Sequence, residues 1–301
     1  MINLTRKKTV YIFITLLVLI TSAVFFYGHQ KAMLGRRRAA WDSLTKILEE
    51  KIRAAGLDAG LVIEDFRMKS RIVYSADKPF PSASLVKVPI MLACFYADEK
   101  KKINLKDTLI LKSAQKVSGS GILKEMPEGT SLTVEELVDL MITQSDNTAC
   151  NILIDLLGFD YINNFFQSLG LKDTNLSRRM MEFDVRKKGI ENYTTAQDMA
   201  FCLEIIYHNK FLSSKISRQS LSLLKKQEVN DRIPAKLPPS VVVAHKTGLE
   251  RKICHDAGIM FMPQGDFLIC VLTKNAKSTK VAKRFIAQIA LDVYEYAGNF
   301  R

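Results

Sequence analysis

The sequence lacks the residue patterns of a metal centre and of a disulfide framework. Its 301 residues include five cysteines and four histidines. The number of cysteines is odd, no two of them have C-x-x-C spacing, and no histidines have the H-E-x-x-H spacing of zinc enzymes. We therefore predict that the cysteines are small, buried apolar residues, and we predict neither a metal nor another cofactor.

A basic run interleaved with aromatic residues is also missing, although the net charge is +13. Residues 1–40 hold seven basic residues and no acid, which leaves +6 for residues 41–301. We therefore expect no nucleic-acid partner. A mild positive charge suits a protein that works beside the anionic polymers of a cell envelope.

The N-terminus carries a long apolar run. Arg6-Lys7-Lys8 precedes Val10 to Tyr27, eighteen uncharged and mostly apolar residues, just enough to cross a bilayer as a helix. A charged segment before an apolar one is also typical of a secretory signal, and Thr21-Ser22-Ala23 is a candidate cleavage site. Because the apolar run continues beyond that site, we favour an uncleaved signal anchor. The alternative is a protein secreted after cleavage.

These features predict an anchor over residues 1–28, a polar linker over 29–40 and one extracytoplasmic domain over 41–301. Apolar periodicity and turn residues predict strands at both ends of that domain, with helices between them. The expected fold class is α/β (α+β): an antiparallel sheet flanked by N- and C-terminal helices, with an inserted all-α subdomain. The sheet and its helices would take residues 41–80 and 210–301, and the helical part would take residues 81–209.

Three short motifs carry the chemistry: S-x-x-K at Ser84 to Lys87, S-D-N at Ser145 to Asn147, and K-T-G at Lys246 to Gly248. The first pattern occurs five times in the chain. Its starting residues are Ser43, Ser75, Ser84, Ser113 and Ser222. Only Ser84 follows an extended approach at Pro81 and precedes an apolar helical run, which places it at the start of a buried helix.

Each motif has a functional and a structural interpretation. Lys87, one helical turn after Ser84, would act as the base that activates the Ser84 hydroxyl if burial lowers its pKa. Ser145 would relay a proton to the leaving nitrogen, and Asn147 would bind the substrate amide. The structural alternatives are helix caps for the serines and a solvated helix residue for Lys87.

The third motif follows an apolar strand. Lys246 and Thr247 would offer a cation and a hydroxyl to a carboxylate, and Gly248 would let a ligand approach the backbone. The alternative is a plain strand-to-turn transition. The segment Ser118-Gly119-Ser120-Gly121 could lie at the rim of a site, but we predict a surface turn there.

With these motifs the chain resembles the class A β-lactamase-like branch of the serine β-lactamase and penicillin-binding (DD-peptidase) family. The resemblance rests on Phe80-x-x-Ala83-Ser84-x-x-Lys87, on S-D-N followed by Asn151, and on K-T-G. It implies the β-lactamase/transpeptidase-like fold and an acyl-enzyme at Ser84. It also implies an oxyanion hole formed by the backbone N–H groups of Ser84 and Leu249.

One departure from the family concerns the loop that normally carries E-x-x-L-N, whose glutamate activates the deacylating water. Alignment of Leu176 and Arg178 with that loop places Met180 at the glutamate position. Glu182 follows two residues later, either as a weak candidate base or as a solvated loop acid, and Glu191 lies at the far end of the loop. We therefore expect acylation to be retained and deacylation to be slow.

The sequence thus predicts a β-lactamase-family serine hydrolase with a small-molecule or peptidoglycan-derived substrate, most simply a β-lactam. One alternative is a D-Ala-D-Ala carboxypeptidase or esterase at the cell envelope. Another is a non-catalytic envelope-binding protein on the same scaffold. The membrane would be contacted through the N-terminal helix, and the sequence gives no indication of oligomeric state.

Overall fold

A computed structural model describes the backbone of residues 2–300 and the side chains of Phe13 and residues 15–300. The predicted charged segment Arg6-Lys7-Lys8 lies outside the described side chains. The chain begins with one helix, α1, over Ile2–Ala54. Among the described residues, α1 is the one helix that is long and apolar enough to cross a membrane. A signal sequence meets the same criteria of length and hydropathy.

Residues 29–40, expected as a polar linker, are instead part of α1. This segment has no proline and is rich in Ala, Met, Leu, Gln, Lys and Arg, which favour helix. The helix therefore continues from the apolar run into the domain, where Trp41 and later apolar residues are buried.

A five-stranded antiparallel sheet forms the centre of the domain. Its strands are β1 (Asp58–Asp65), β2 (Ser70–Tyr74), β7 (Val242–Glu250), β8 (Ile253–Phe261) and β9 (Phe267–Lys274). They lie side by side in the order β2-β1-β9-β8-β7. Residues of α1 and of the last helix, α9 (Thr279–Gly298), form one hydrophobic core with one face of the sheet. This arrangement confirms the predicted fold class.

A second hydrophobic core joins the opposite face of the sheet to the helical part. The helices are α2 (Lys87–Glu99), α3 (Val134–Thr143), α4 (Asn147–Leu157), α5 (Phe159–Leu169), α6 (Phe183–Lys187), α7 (Ala196–His208) and α8 (Ser214–Lys225). Thr133 and Glu136 form a capping box at the start of α3, and Thr195 caps α7.

The helical part differs from the predicted one in two respects. It contains two short antiparallel ribbons, in which β3 (Phe80–Pro81) pairs with β6 (Tyr193–Thr194) and β4 (Thr108–Ile110) pairs with β5 (Ser131–Thr133). Helix α8 lies beyond the predicted boundary at residue 209 but packs on α2, α3 and α7 as well as on β7. Such long-range packing is not encoded in local periodicity.

Candidate active site

A cleft of about 660 Å³ lies between the end of β7 and the helical part of the domain. Ser84, Asn147 and Leu249 line it together with the loop that contains Met180. The structure therefore brings the first motif, the second motif and the strand of the third motif to one place. Among the described residues, no group of three or more acidic, histidine or cysteine side chains could hold a metal ion.

Ser84 lies in a short 3-10 helix over Ala83–Val86 that leads directly into α2. The preceding residue, Ala83, has φ of 45°, a conformation that non-glycine residues rarely adopt. The approach is held by the amide of Ser82, which donates to the carbonyl of Asn192 at 2.8 Å. Ser84 is half-buried and reaches the cleft, as expected for a nucleophile at a helix start.

Lys87 is fully buried one turn after Ser84. Its Nζ donates to the carbonyl of Ser145 at 2.6 Å and to Asn147 Oδ1 at 2.8 Å, and it lies 3.4 Å from Ser145 Oγ. Burial lowers the pKa of Lys87 from 10.5 to about 8. Lys87 is therefore not a solvated helix residue, and its amine has the pKa of a usable base near neutral pH.

Lys246 approaches Ser145 from the other side. It is fully buried, and its Nζ donates to Ser145 Oγ and to the carbonyl of Thr247, both at 3.0 Å. Burial, and then the neighbouring Lys87, hold the pKa of Lys246 well below its usual value. The Ser145 hydroxyl thus lies between two buried amines, a geometry suited to proton transfer.

The S-D-N segment connects α3 to α4. Ser145 itself has φ of 58°, and the next residue, Asp146, caps α4 by accepting the amide of Ala149 at 2.9 Å. Asp146 also accepts the amide of Leu123 at 2.9 Å. The N-cap of α4 is therefore Asp146 and not Ser145. The side chains of Ser145 and Asn147 lie in the site.

The Ser118–Gly121 segment lies at the rim of the cleft and is not a plain surface turn. Asn147 donates its backbone N–H to the carbonyl of Ser120 and its Nδ2 to that of Ser118, both at 3.1 Å. Gly121 has φ of 104°, and a Cβ there would come within 2.1 Å of Asp146. Gly119 and Gly121 could have indicated a close approach of the backbone here, because glycine readily adopts positive φ and both residues do so beside the S-D-N motif.

The K-T-G motif lies within β7, whereas the sequence suggested that the strand ends before it. The ladder between β7 and β8 continues to the pair Glu250–Ile253, beyond Leu249. A Cβ on Gly248 would lie 3.4 Å from Cβ of Ala83, so the strand passes directly beside the turn that carries Ser84. Thr247 is buried at this point, while Leu249 is half-exposed and lines the cleft.

Arg232 is a buried residue near this strand that sequence reasoning missed. Its Nε donates to Cys254 Sγ at 3.2 Å, and its positive charge is a further cause of the lowered pKa of Lys246. No short motif surrounds Arg232, so the fold alone reveals its position. The five cysteines, Cys254 among them, are all unpaired and buried.

Met180 occupies the part of the loop that faces the cleft. Asn151 holds its backbone on both sides: Met180 N donates to Asn151 Oδ1 at 2.7 Å, and Asn151 Nδ2 donates to the Met180 carbonyl at 3.1 Å. The Met180 side chain is buried and lines the cleft with Ser84. The asparagine that extends the S-D-N motif therefore fixes the backbone of Met180, the residue that the sequence alignment predicts at the glutamate position.

The two loop acids have other partners. Glu182 accepts the amide of Arg179 at 2.9 Å and lies 3.5 Å from the guanidinium of the same residue. Glu191 is buried between Arg178 at 2.6 Å and Arg186 at 2.7 Å. Neither acid lines the cleft.

The described residues that line the cleft include one carboxylate, Glu250. It pairs with Arg186 at 2.6 Å and with Arg178 at 3.2 Å. Glu182, Glu191 and Glu250 are therefore each paired with arginine, and none of the three is positioned as an unpaired base.

The fold brings together the S-x-x-K, S-D-N and K-T-G motifs, the combination found in class A β-lactamases and penicillin-binding proteins. A family model described as "Beta-lactamase enzyme family" matches residues 41–297. The chain belongs to this family, in its class A serine branch, and is a serine hydrolase of the β-lactamase type.

Individual relatives agree with that assignment. The β-lactamase VEB-1 of Pseudomonas aeruginosa is 26% identical over 277 residues, covering 87% of this chain and 92% of its own length. A β-lactamase structure from Sphaerobacter thermophilus superposes with a TM-score of 0.79 at 32% identity, covering 84% of this chain and 96% of that one. A mutant of PBP-A, solved as an acyl-enzyme complex with penicillin G, gives a TM-score of 0.79 at 27% identity, covering 86% and 97%.

Proposed function

We propose that the protein forms an acyl-enzyme at Ser84 with β-lactams and hydrolyses that intermediate slowly. The observation that supports the proposal is the contrast between two buried lysines around Ser145 and a methionine, Met180, that lines the cleft where the alignment predicts the water-activating acid. The groups proposed for acylation surround Ser145, whereas the one carboxylate among the described residues that line the cleft, Glu250, is paired with arginines.

In the proposed acylation, neutral Lys87 takes the proton of Ser84 Oγ while that oxygen attacks the lactam carbonyl. The backbone N–H groups of Ser84 and Leu249 stabilise the negative charge that develops on the carbonyl oxygen. The proton passes through Ser145 to the lactam nitrogen as the C–N bond breaks. Asn147 binds the substrate amide, and Lys246 and Thr247 bind its carboxylate.

Deacylation then needs a water molecule that loses a proton as it attacks the ester. A positioned general base typically contributes about 10²–10⁴-fold to such a step. Met180 has no proton acceptor of that strength, and Glu182 is bonded to Arg179. The ester at Ser84 should therefore persist.

Intact mass spectrometry after mixing with a penicillin tests this proposal. We expect one adduct per chain that outlasts the free drug. Ser84→Ala should abolish labelling by the penicillin and by a fluorophosphonate probe. Stoichiometric labelling of the alanine variant would refute the assignment of the nucleophile, and rapid turnover without an adduct would refute slow deacylation.

A second candidate, a D-Ala-D-Ala carboxypeptidase or esterase of the cell envelope, uses the same groups. The missing loop carboxylate favours it, because an enzyme that does not need to destroy β-lactams has no need of efficient β-lactam deacylation. Release of D-alanine from an acyl-D-Ala-D-Ala peptide, compared with penicillin hydrolysis under the same conditions, distinguishes the two. A non-catalytic binding protein would give neither product nor a covalent adduct.

We further propose that α1 anchors the domain outside the cytoplasm. Its apolar side chains are exposed to a degree that water alone would disfavour, with Phe25, Phe26 and Tyr27 between 63% and 78% exposed. Membrane fractionation with the mass of the N-terminal peptide provides the test. A mature protein that begins after Ala23 would instead support a cleaved signal.

A further inference from the structure

Helix α1 and strand β1 lie along the same sheet and run in opposite directions. Arg37 of α1 donates to Asp65, the last residue of β1, through two nitrogens. From Arg37 the helix continues to Ala54, and β1 begins shortly afterwards at Asp58. The sheet therefore has an anchor end, at Asp65, where α1 enters the domain, and a far end, at Asp58.

The nucleophile lies level with the far half of β1. The turn before Ser84 passes beside Gly248 of β7, and the ladders through β8 and β9 place Gly248 level with Gly60 of β1. Gly60 precedes Asp65 by five residues, or about 16 Å along the strand. The turn between β7 and β8, which lines the cleft, lies farther still from the anchor end.

A free segment of α1, residues 28–36, separates the apolar run from the domain. It is helical and its residues are exposed. From Tyr27, at the end of the apolar run, to Arg37 the helix rises about 15 Å, so Ser84 lies about 30 Å from the end of that run. The headgroup layer takes about 5–8 Å of this distance, and a helix tilt of about 20° removes about 2 Å more. Roughly 20 Å of water therefore separates Ser84 from the headgroups of a membrane that holds α1.

The junction between α1 and the domain is held in one geometry. Arg37 is buried and pairs with Asp65 at 2.8 Å. Trp41, one turn later, packs against Tyr296 with ring centroids 5.3 Å apart. Because α1 contains no proline, its backbone hydrogen bonds are not interrupted in the free segment. The helix therefore holds the domain upright and keeps the cleft away from the membrane.

We propose that the anchored protein acylates Ser84 with substrates that are not tied to its own membrane. The substrate class is an amide or ester that reaches the cleft from the side facing away from the lipid. An acyl donor on a short link to the same membrane does not reach Ser84, because the gap exceeds the link. This inference deepens the proposed acyl transfer, and it rests on that function and on the proposed anchor.

The test compares two lipid-linked penicillins. The full chain is incorporated into dilute nanodiscs that also contain a lipid carrying the drug, either on a spacer that ends in the headgroup layer or on one of about 100 Å. Intact mass measures the adduct on Ser84. A link that cannot span the gap gives an effective concentration near zero, so the long spacer should react at least about 100-fold faster. Comparable rates with both spacers would overturn the proposal.

Two controls separate this inference from the proposals on which it rests. A soluble penicillin should label the chain in the same discs, and no labelling would refute the acyl-enzyme and the inference with it. Recovery of the chain outside the discs would refute the anchor, and again the inference with it. Labelling by the soluble drug in discs, with equal rates for both spacers, would refute the inference alone.

A flexible variant tests whether the helical free segment causes the exclusion. Its substitutions are His29→Gly, Gln30→Gly, Lys31→Gly, Ala32→Gly, Met33→Gly and Leu34→Gly. With Gly28 and Gly35 they make a continuous run of glycine, and each glycine costs about 1 kcal/mol of helix stability relative to alanine. The matched control has alanine at the same positions, where it keeps the helix and removes the same side chains.

Both variants should react with the soluble penicillin as the original chain does, since the substituted residues are exposed and remote from the cleft. In the glycine variant the domain can fold down, so the short spacer should react within about fivefold of the long one. The alanine variant should keep the difference of at least about 100-fold. Persistence of that difference in the glycine variant, or its loss in the alanine variant, would overturn the proposal.

Discussion

The charged residues on the two walls of the active-site cleft lie in opposite environments. On the wall formed by α2, α4 and β7, Lys87 and Lys246 are buried and meet at the hydroxyl of Ser145. On the loop wall, Glu182 and Glu191 are held by arginines, and Met180 lines the cleft together with Ser84. The number of titratable groups near a site therefore says little about its chemistry, because a group fixed in an ion pair does not serve as a base.

The contrast also suggests how one fold separates two half-reactions. The groups proposed for acylation are fixed by the packing of whole helices and a central strand. The group needed for deacylation would come from a loop whose conformation is set by the arginine–glutamate pairs and by Asn151. A single substitution on the loop can thus change the second step without disturbing the first.

Met180→Glu should have the largest effect, because it places a carboxylate where the loop wall has none. Asn151 binds only the backbone of residue 180, so that position should stay in place. We expect hydrolysis of the penicillin adduct to accelerate about 10²–10⁴-fold. Time-resolved intact mass measures the loss of adduct.

Met180→Gln is the matched control, since it has the size of glutamate without the charge. It should leave the adduct lifetime within about threefold of the original. Equal acceleration by both variants would mean that the loop became mobile, and no acceleration by glutamate would mean that the missing carboxylate does not limit turnover.

Much of the site was visible in the sequence because its motifs are local. S-x-x-K places Ser84 and Lys87 on one helical turn, and the structure has them there. The convergence of Ser145 with Lys246 could be expected only from the family resemblance, since the two are far apart in the chain. Their 3.0 Å contact is a product of the fold.

The features that could not be predicted depend on contacts between residues far apart in the chain, or on helix propensity summed over a long segment. Nothing local to Glu191 indicates that it pairs with Arg178 and Arg186. The polar character of residues 29–40 suggested a linker, although their helix propensity was high enough to continue α1. In residues 29–40 the polar residues indicate exposure to solvent and not an irregular backbone.

Lys246→Ala tests whether the lysine wall binds a carboxylate. A charge-assisted hydrogen bond contributes about 1.5–3 kcal/mol, so acylation by a carboxylated substrate should fall about 10- to 150-fold more than acylation by the matching neutral ester. The ester pair is the internal control, because loss of the contact to Ser145 affects both substrates. Equal losses for both would contradict this role of Lys246.

The pH dependence of acylation should report the neutral form of Lys87. Since burial lowers its pKa to about 8, the rate with a neutral ester should rise with pH up to about 8 and then level off. Lys246 titrates in the same site, so the profile belongs to the pair, and the neutral ester removes its role in carboxylate binding. A flat profile between pH 6 and 8 would contradict Lys87 as the base.

The pH dependence of the unfolding free energy provides the control for the pH profile of acylation. The pKa of Lys87 is lower in the folded state than in the unfolded chain, so the unfolded state binds more protons between pH 8 and 10.5. The contribution of Lys87 to the unfolding free energy therefore increases with pH in that window and is constant below it. A change in rate between pH 6 and 8 then cannot come from this group's effect on stability.

Glu182→Gln should have the smallest effect of these substitutions, and it tests whether Glu182 acts as a base on the loop wall. Its carboxylate accepts the Arg179 amide, a bond that glutamine can keep, and the ion pair that is lost is partly exposed and worth about 0–1 kcal/mol. We expect the adduct lifetime to stay within about twofold and the unfolding temperature to change little. Glu191→Gln is the contrasting control, because it breaks a buried pair and should lower stability by about 3–5 kcal/mol. If Glu182→Gln instead lengthens the adduct lifetime markedly at unchanged stability, then the loop rearranges in the acyl-enzyme and Glu182 serves as its base.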